Sequence, residues 1–185
     1  MGHFYFIRHG QTLWNVENKI CGATDSPLTE YGREQAKETG QKILTEGVKA
    51  DEILCSPLSR AADTAQLISE MTGIPYRVEP RLIEQNFGKW ESTPRDGKDF
   101  KKAKEFFACS HEGGESTLRL AQRIYNLLDD IKKDVSVTTY TDTSTSNSKW
   151  LVMNCTVHIQ IYLSSIKFPG GKVIGRDADF PSVNS

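Results

Sequence analysis

Arg8 and His9 stand between the apolar run Phe4–Ile7 and Gly10, in the stretch FYFIRHG. A neutral imidazole nitrogen can attack phosphorus and carry the phosphoryl group as a covalent intermediate. A guanidinium group binds phosphate oxygens through paired hydrogen bonds. We therefore expect phosphoryl chemistry at His9, with Arg8 as a ligand of the phosphate and Gly10 permitting a tight change of direction.

Arg60 is a second candidate ligand, in the stretch CSPLSRAADTA that follows the apolar run Ile53–Cys55. We expect Ser56 to cap a helix and Pro57 to occupy its first position. The free N–H groups and the positive dipole end of that helix would then face the same anion as Arg60. The sequence thus predicts two arginines and a helix N-terminus around one phosphate.

The elements that must position these residues alternate between strand and helix. Strands are predicted at Phe4–Ile7, at Ile53–Cys55 and in IPYRVEP, and helices after Thr29, from Pro57, near Asp99–Ala108 and at Ser116–Lys133. This alternation predicts an α/β fold, a three-layer sandwich with a mostly parallel central sheet, whose ligands bind beyond the carboxyl ends of the strands. The length of 185 residues suits a single domain, 1–185.

The helix after Thr29 carries its own pattern. Ala36, Ile43 and Leu44 are predicted to form its buried stripe, Gly40 to be a weak point, and Gly47 to end it.

Composition excludes several classes of function. A net charge of -1 gives no general attraction to nucleic acid or to anionic membranes, so we expect neither as a partner. Cys21, Cys55, Cys109 and Cys155 are widely spaced, which predicts no metal site and no disulfide framework. With no leader or membrane-spanning pattern, we expect a cytoplasmic protein without a cofactor, acting on a small phosphorylated substrate, with a homodimer left open.

Four blocks together resemble one family. RHGQTLWN, SPLSRAADTA, EQNFGKWES and GGES occur in the order and approximate spacing of the histidine phosphatase superfamily, in the branch of cofactor-dependent phosphoglycerate mutases and their small phosphatase relatives. The resemblance implies a phosphoglycerate mutase-like fold. It also implies that His9 is the phosphorylated nucleophile, that Arg8 and Arg60 bind the phosphate, and that Asn15 adds a polar contact.

Glu84 is the acid that the resemblance implies for protonating the leaving oxygen. It lies in the mixed apolar loop RLIEQNFGKW, where partial burial would raise a carboxyl pKa toward neutral. A cap or a salt bridge is the alternative role for Glu84. Cys21 and Gly22 match the place where family members contact substrate, although a simple glycine turn would also explain them.

The resemblance fails near the C-terminus, where segment 134–185 diverges from the family. Family members place a second histidine, followed by glycine, after a late apolar strand, but KWLVMNCTVHIQ has Cys155 and Thr156 at that position. His158 lies three residues further on, which would turn it to the opposite face of a continuing strand. We expect TTYTDTSTSNS to be mobile and Trp150–Met153 to rejoin the sheet.

The function predicted from these observations is hydrolysis of phosphomonoesters through phospho-His9. Phosphoglycerate mutase-type transfer is the alternative within the family, and Ser92–Gly114 is short and mixed in charge where a mutase needs a long basic lid. Two further hypotheses are a catalytically weakened phospholigand-binding protein and an interaction module that uses the fold alone.

Overall fold

The computed structural model describes the backbone of residues 3–141, 149–153 and 172–174, and the side chains of residues 5–133. Its strands are β1 (His3–Ile7), β2 (Glu52–Cys55), β3 (Tyr76–Val78), β4 (Lys149–Met153) and β5 (Lys172–Ile174). Its α-helices are α1 (Leu13–Val16), α2 (Glu30–Thr45), α3 (Ser59–Thr72), α4 (Lys98–Ala103) and α5 (Thr117–Thr141). None of the described helices has the length and apolar composition needed to span a membrane.

The strands form one sheet in the order β3-β2-β4-β1-β5, and each described pair of neighbours is parallel. Met153 of β4 lies level with Ile7 of β1 on one side and with Cys55 of β2 on the other. The carboxyl ends of β1 and β2 therefore open at the same edge of the sheet. The predicted parallel sheet and the return of Trp150–Met153 as a strand are confirmed.

Helices cover both faces of the sheet. Ile53 and Cys55 of β2 pack with Ile43 of α2 and Ile68 of α3. Leu54, between them in sequence, packs on the opposite face with the apolar residues of α5. Because successive strand side chains point to opposite faces, this division requires helices on both sides. The structure is therefore the three-layer α/β sandwich expected from the sequence.

Gly40, which we expected to be a weak point of α2, lies at the contact between α2 and α3. It is buried, and a Cβ atom there would lie 3.0 Å from the Met71 sulfur. Leu44, which we expected on the buried stripe, is 47% exposed, while Ala36 and Ile43 are buried. The contacting face of α2 thus uses small residues that let α3 approach closely.

Three predicted helix boundaries were wrong. α3 begins at Ser59 because Leu58 is still extended and the Ser56 hydroxyl accepts a hydrogen bond from Leu58 N at 3.4 Å, which forms a local turn instead of a cap. α4 ends at Ala103, since only Phe100 of this helix is buried. α5 continues to Thr141 and so includes the first four residues of TTYTDTSTSNS, which we expected to be mobile. The rest of that run lies outside the described residues.

Candidate active site

His9 lies two residues beyond the end of β1, and its ring is held in one tautomer. Nδ1 lies 2.6 Å from the carbonyl oxygen of Gly10. A carbonyl oxygen can only accept, so Nδ1 carries the proton and donates it. Nε2 is then left with a lone pair, which is the atom that can attack phosphorus.

Three arginines surround His9. Burial, together with the charge of Arg60 and then those of Arg8 and Arg95, lowers the pKa of His9 to about 3, against a smaller opposing effect of the Gly10 hydrogen bond. The ring is therefore neutral near pH 7, as a nucleophile must be. The structure brings His9, Arg8 and Arg60 together as the sequence predicted.

Gly10 is required by close packing and not by a turn. A Cβ atom at Gly10 would collide with the backbone of Gly32, in the first turn of α2. The φ angle of Gly10 is not in the left-handed region. We expected a glycine here because it permits a tight change of direction, and that reason was wrong. Thr64 adds a contact on the other side, since its hydroxyl lies 3.4 Å from Gly10 N and donates to the Arg60 carbonyl.

Arg60 is almost completely buried, with 1% of its surface exposed. Its Nη2 donates to the Gly22 carbonyl at 2.7 Å and its Nη1 to the Thr24 carbonyl at 3.1 Å. A guanidinium group has five N–H bonds, so these two contacts fix its plane and leave donors for an anion. Arg60 is therefore rigidly presented beside His9.

Asp25 occupies the helix N-terminus that we expected to face the phosphate. Both of its carboxylate oxygens lie 3.1 Å from Ser59 N, the first residue of α3. The same carboxylate lies 3.7 Å from Nη1 of Arg60. Asp25 therefore caps α3 from a distant loop, and our prediction of Ser56 as the cap was wrong.

Cys21 and Gly22 lie in the loop that holds Arg60. Cys21 is half-buried, burial raises the pKa of its thiol, and the charges of Arg60 and Arg95 act on it in the opposite direction. Gly22 uses its carbonyl oxygen for Arg60 and its N–H for the Glu91 carboxylate. In this structure Gly22 therefore supports Arg60, and direct contact with a substrate stays a prediction for both residues.

Asn15 belongs to α1, a short helix that we did not predict. Its side-chain oxygen accepts from Thr12 N at 3.0 Å, while Thr12 Oγ1 accepts from Asn15 N at 3.2 Å. This reciprocal cap uses the carbonyl end of the Asn15 amide. The amide nitrogen, which is the end that suits an anion, is thereby held in a fixed orientation.

Glu84 is 5% exposed, which agrees with the burial expected for it. One of its carboxylate oxygens accepts from Gln85 N at 2.7 Å. The negative charge of Glu84 acts on the pKa of Arg95, and the charge of Arg95 acts on the pKa of His9. The candidate acid and the candidate nucleophile are therefore linked electrostatically through Arg95.

Arg95 is the site residue that the sequence did not reveal. Its backbone N–H donates to the Asn18 carbonyl and its Nε to the Lys19 carbonyl, at 3.0 and 2.9 Å. Burial and the neighbouring charge of Arg8 lower its pKa. Arg95 follows Pro94 in an irregular loop, and only its pairing with segment 18–20 brings it here, so no local sequence signal marks it.

The residues predicted to stand in place of the second histidine lie outside the described part of the chain. Neither Cys155 and Thr156 nor His158 can therefore be placed relative to His9. The arrangement that is described has a neutral imidazole with a free lone pair, three guanidinium groups and a buried carboxyl group. These groups suit attack on a phosphate, stabilisation of its charge and protonation of a leaving oxygen.

This chain belongs to the histidine phosphatase superfamily (branch 1), whose family model matches residues 4–140. The match extends beyond Lys133, where we expected it to end. A curated relative from Yersinia pestis, "Probable phosphoglycerate mutase GpmB", is 36% identical over 132 residues, which are 68% of this chain and 60% of the relative. The chain thus matches about three fifths of the length of that relative.

Solved structures confirm the phosphoglycerate mutase-like fold. A mycobacterial glucosyl-3-phosphoglycerate phosphatase is 28% identical with a TM-score of 0.70, over 89% of this chain and 79% of that chain. A protein described as mycobacterial hydrolase 1 is also 28% identical, with a TM-score of 0.72 over 89% and 81% of the two chains.

Proposed function

We propose that this protein is a phosphatase that hydrolyses small phosphomonoesters through a phosphohistidine intermediate on His9. The observation that carries the proposal is the 2.6 Å hydrogen bond from Nδ1 to the Gly10 carbonyl. It leaves Nε2 unprotonated in a site where Arg8, Arg60 and Arg95 offer positive charge. A lone pair on nitrogen among guanidinium groups is suited to attack a phosphate dianion.

In the first step Nε2 of His9 forms a bond to phosphorus while the bond from phosphorus to the ester oxygen breaks. Glu84 gives its proton to that oxygen, and an alcohol leaves. In the second step the oxygen of a water molecule forms a bond to phosphorus while Glu84 takes a proton from the water; the bond from phosphorus to Nε2 breaks, and phosphate departs. Arg8 and Arg60 bind the phosphoryl oxygens in both steps, with Asn15 as a further donor and Cys21 and Gly22 beside the substrate.

Mutase-type transfer is the second candidate, favoured by the relative named as a phosphoglycerate mutase. In that reaction a substrate hydroxyl group replaces water in the second step. The segment from Ser92 to Gly114 contains only the short helix α4, which supports hydrolysis because a mutase must cover its phosphorylated enzyme from water. If the residues after Met153 supply no donor to the phosphate, the remaining site would be a weakened phospholigand-binding site.

A cytoplasmic location, a small phosphorylated substrate and action without a cofactor belong to the same proposal. The three cysteines in the described part of the chain, Cys21, Cys55 and Cys109, are free thiols, which fits a reducing compartment. Self-association into a homodimer stays open, and light scattering of the purified chain would measure it.

The test is to trap the intermediate. The protein is mixed with a phosphomonoester and quenched in alkali, and mass spectrometry should then find one phosphoryl group on the peptide that contains His9. His9→Asn should remove this signal and the release of phosphate. His111→Asn is the matched control, because the same substitution is made at a histidine whose ring packs against the rings of Phe87 and Phe100. Turnover without label on His9, or label that persists in His9→Asn, would contradict the proposal.

A further inference from the structure

The carboxylate of Glu91 accepts four backbone hydrogen bonds. Oε1 accepts from Ala23 N at 3.1 Å and from Phe87 N at 2.9 Å. Oε2 accepts from Gly22 N at 3.0 Å and from Thr24 N at 3.4 Å. A carboxylate has about four lone-pair positions, so this group is fully engaged by the backbone. The four bonds therefore tie Glu91 to two backbone segments, 22–24 and Phe87.

Three of these N–H groups belong to the loop that holds Arg60. The loop turns its N–H groups toward Glu91, and it turns the carbonyl groups of Gly22 and Thr24 toward the Arg60 guanidinium. The position of those two carbonyl oxygens decides where the guanidinium plane lies. A displacement of the loop by a fraction of an ångström would move Arg60 relative to His9 by a similar amount.

The fourth N–H group joins a second loop to the first. Phe87 follows Glu84 by three residues, so its bond to Glu91 ties the segment of the candidate acid to the segment that holds Arg60. The two segments are in direct contact, because a Cβ atom at Gly22 would collide with the Gln85 carbonyl and with Oε1 of Glu91. Glu91 thus holds both loops at a fixed separation.

We propose that Glu91 is a positioning residue for the phosphate site, which acts by holding loop 22–24 so that its carbonyl groups orient Arg60. The inference rests on the proposed function in one respect, that Arg60 binds the phosphate. It assigns Glu91 no contact with the substrate. The effect of Glu91 on phosphate must therefore pass through Arg60.

A double-mutant cycle on phosphate binding tests this pathway. Glu91→Gln keeps the shape of the side chain but replaces one acceptor oxygen by a donor, which leaves backbone N–H groups without an acceptor. We expect the Kd for inorganic phosphate, measured by calorimetry, to rise about tenfold or more, by analogy with the loss of groups that orient metal ligands. Arg60→Lys keeps the charge but cannot bridge both carbonyl groups. In that background Glu91→Gln should change the Kd less than about twofold.

Two comparisons distinguish a positioning role of Glu91 from a role in proton transfer and from a general effect of its charge. Glu112→Gln is the matched control, because Glu112 is an exposed carboxylate paired with Lys89 in a nearby loop, and it should leave the Kd unchanged. In turnover, an effect of Glu91→Gln that passes through Arg60 should lower kcat/KM equally for nitrophenyl and alkyl phosphates, since Arg60 binds the phosphate that both esters share. Glu91→Asp, which is too short to reach all four N–H groups, gives a milder second variant if Glu91→Gln fails to fold.

The outcomes distinguish the inference from the proposed function. Additive effects of Glu91→Gln and Arg60→Lys, or an unchanged Kd in both Glu91 variants, would overturn the positioning role while Arg60 stays a phosphate ligand. Failure of the unaltered protein to bind phosphate, or an Arg60→Lys variant with unchanged affinity, would instead contradict the proposed function and with it the basis of the inference.

Discussion

The reactivity of His9 depends on its neutral form, and its neighbours secure that form. Burial and three nearby arginines oppose the protonated ring, which would add a fourth positive charge to the site. The ring is therefore a free base before substrate binds.

The pKa of His9 predicts how stability changes with pH. The unfolded chain binds a proton at His9 below pH 6.5, whereas the folded chain does so only below about pH 3. Between these values the unfolded state binds more protons, so this group makes the folded state less stable as the pH falls. Urea denaturation at the two ends of the window should show that His9→Asn loses less stability on acidification than the unaltered protein. An equal loss would mean that the ring is protonated in the folded state.

Glu84 predicts a dependence on the leaving group. Glu84→Gln removes the proton donor but keeps the side-chain volume, so it should slow the hydrolysis of alkyl phosphates far more than that of nitrophenyl phosphate. Nitrophenolate leaves readily without a proton. The ratio of kcat/KM for the two esters, compared between variant and unaltered protein, is the measurement, with a change of about 100-fold expected for a general acid. Equal losses on the two esters would remove Glu84 from the acid role.

A site residue was predictable when the sequence next to it shows which strand places it at the site. His9, Arg8 and Arg60 each follow an apolar strand, and parallel strands bring such positions to one edge. Arg95 and Asp25 act instead through contacts with distant segments. Arg95 donates to Lys19, 76 residues away in the chain, and Asp25 accepts from Ser59, 34 residues away. No period or spacing encodes those contacts.

The N-terminus of α3 is stabilised by an element outside the helix. Leu58 is the N-cap residue of α3, and its side chain has no oxygen to accept a hydrogen bond. Asp25 supplies the missing acceptor and also lies close to Arg60, on the first turn of the same helix. The Asp25 carboxylate thus accepts a hydrogen bond from the N-terminus of the helix, and its negative charge lies beside the positive charge of Arg60.

Asp25→Ala should therefore cost more stability than the loss of an ordinary surface carboxylate. Removal of a helix cap typically lowers the free energy of unfolding by about 1 kcal/mol. Asp129→Ala is the matched control, because Asp129 is an exposed carboxylate paired with Lys132, and it should change the value by less than about 0.5 kcal/mol. Urea denaturation measures both variants. Equal effects would show that water replaces Asp25 at the helix end.

At the scale of the whole molecule, β4 lies between two pairs of strands in the described sheet, β3 with β2 and β1 with β5. It pairs with β2 on one side and with β1 on the other. Cys155 follows Met153 by two residues, as His9 follows its partner Ile7. Our alignment of Cys155 and Thr156 with the second histidine of the family uses this same strand, and their own positions stay a prediction.

A pair of variants tests that prediction. A thiol and a hydroxyl group are poorer donors than an imidazolium, so Cys155→His combined with Thr156→Gly should raise phosphatase turnover, by up to about 100-fold if a full anion donor is restored. His158→Ala should change turnover little. The decisive contrary result is a collapse of activity in His158→Ala, which would show that His158 has taken the role of the second histidine.

The place of β4 in the sheet also has a consequence for folding during synthesis. Residues 3–7 and 52–55 leave the ribosome before residues 149–153, which form the strand that lies between β1 and β2 in the sheet. Until that segment has been made, β1 and β2 each present the edge that β4 later covers. The central pairing closes a loop of more than a hundred residues, which makes it a slow step and an exposed one. The pairing that sets the carboxyl ends of β1 and β2 side by side therefore forms only after residues 149–153 have been made.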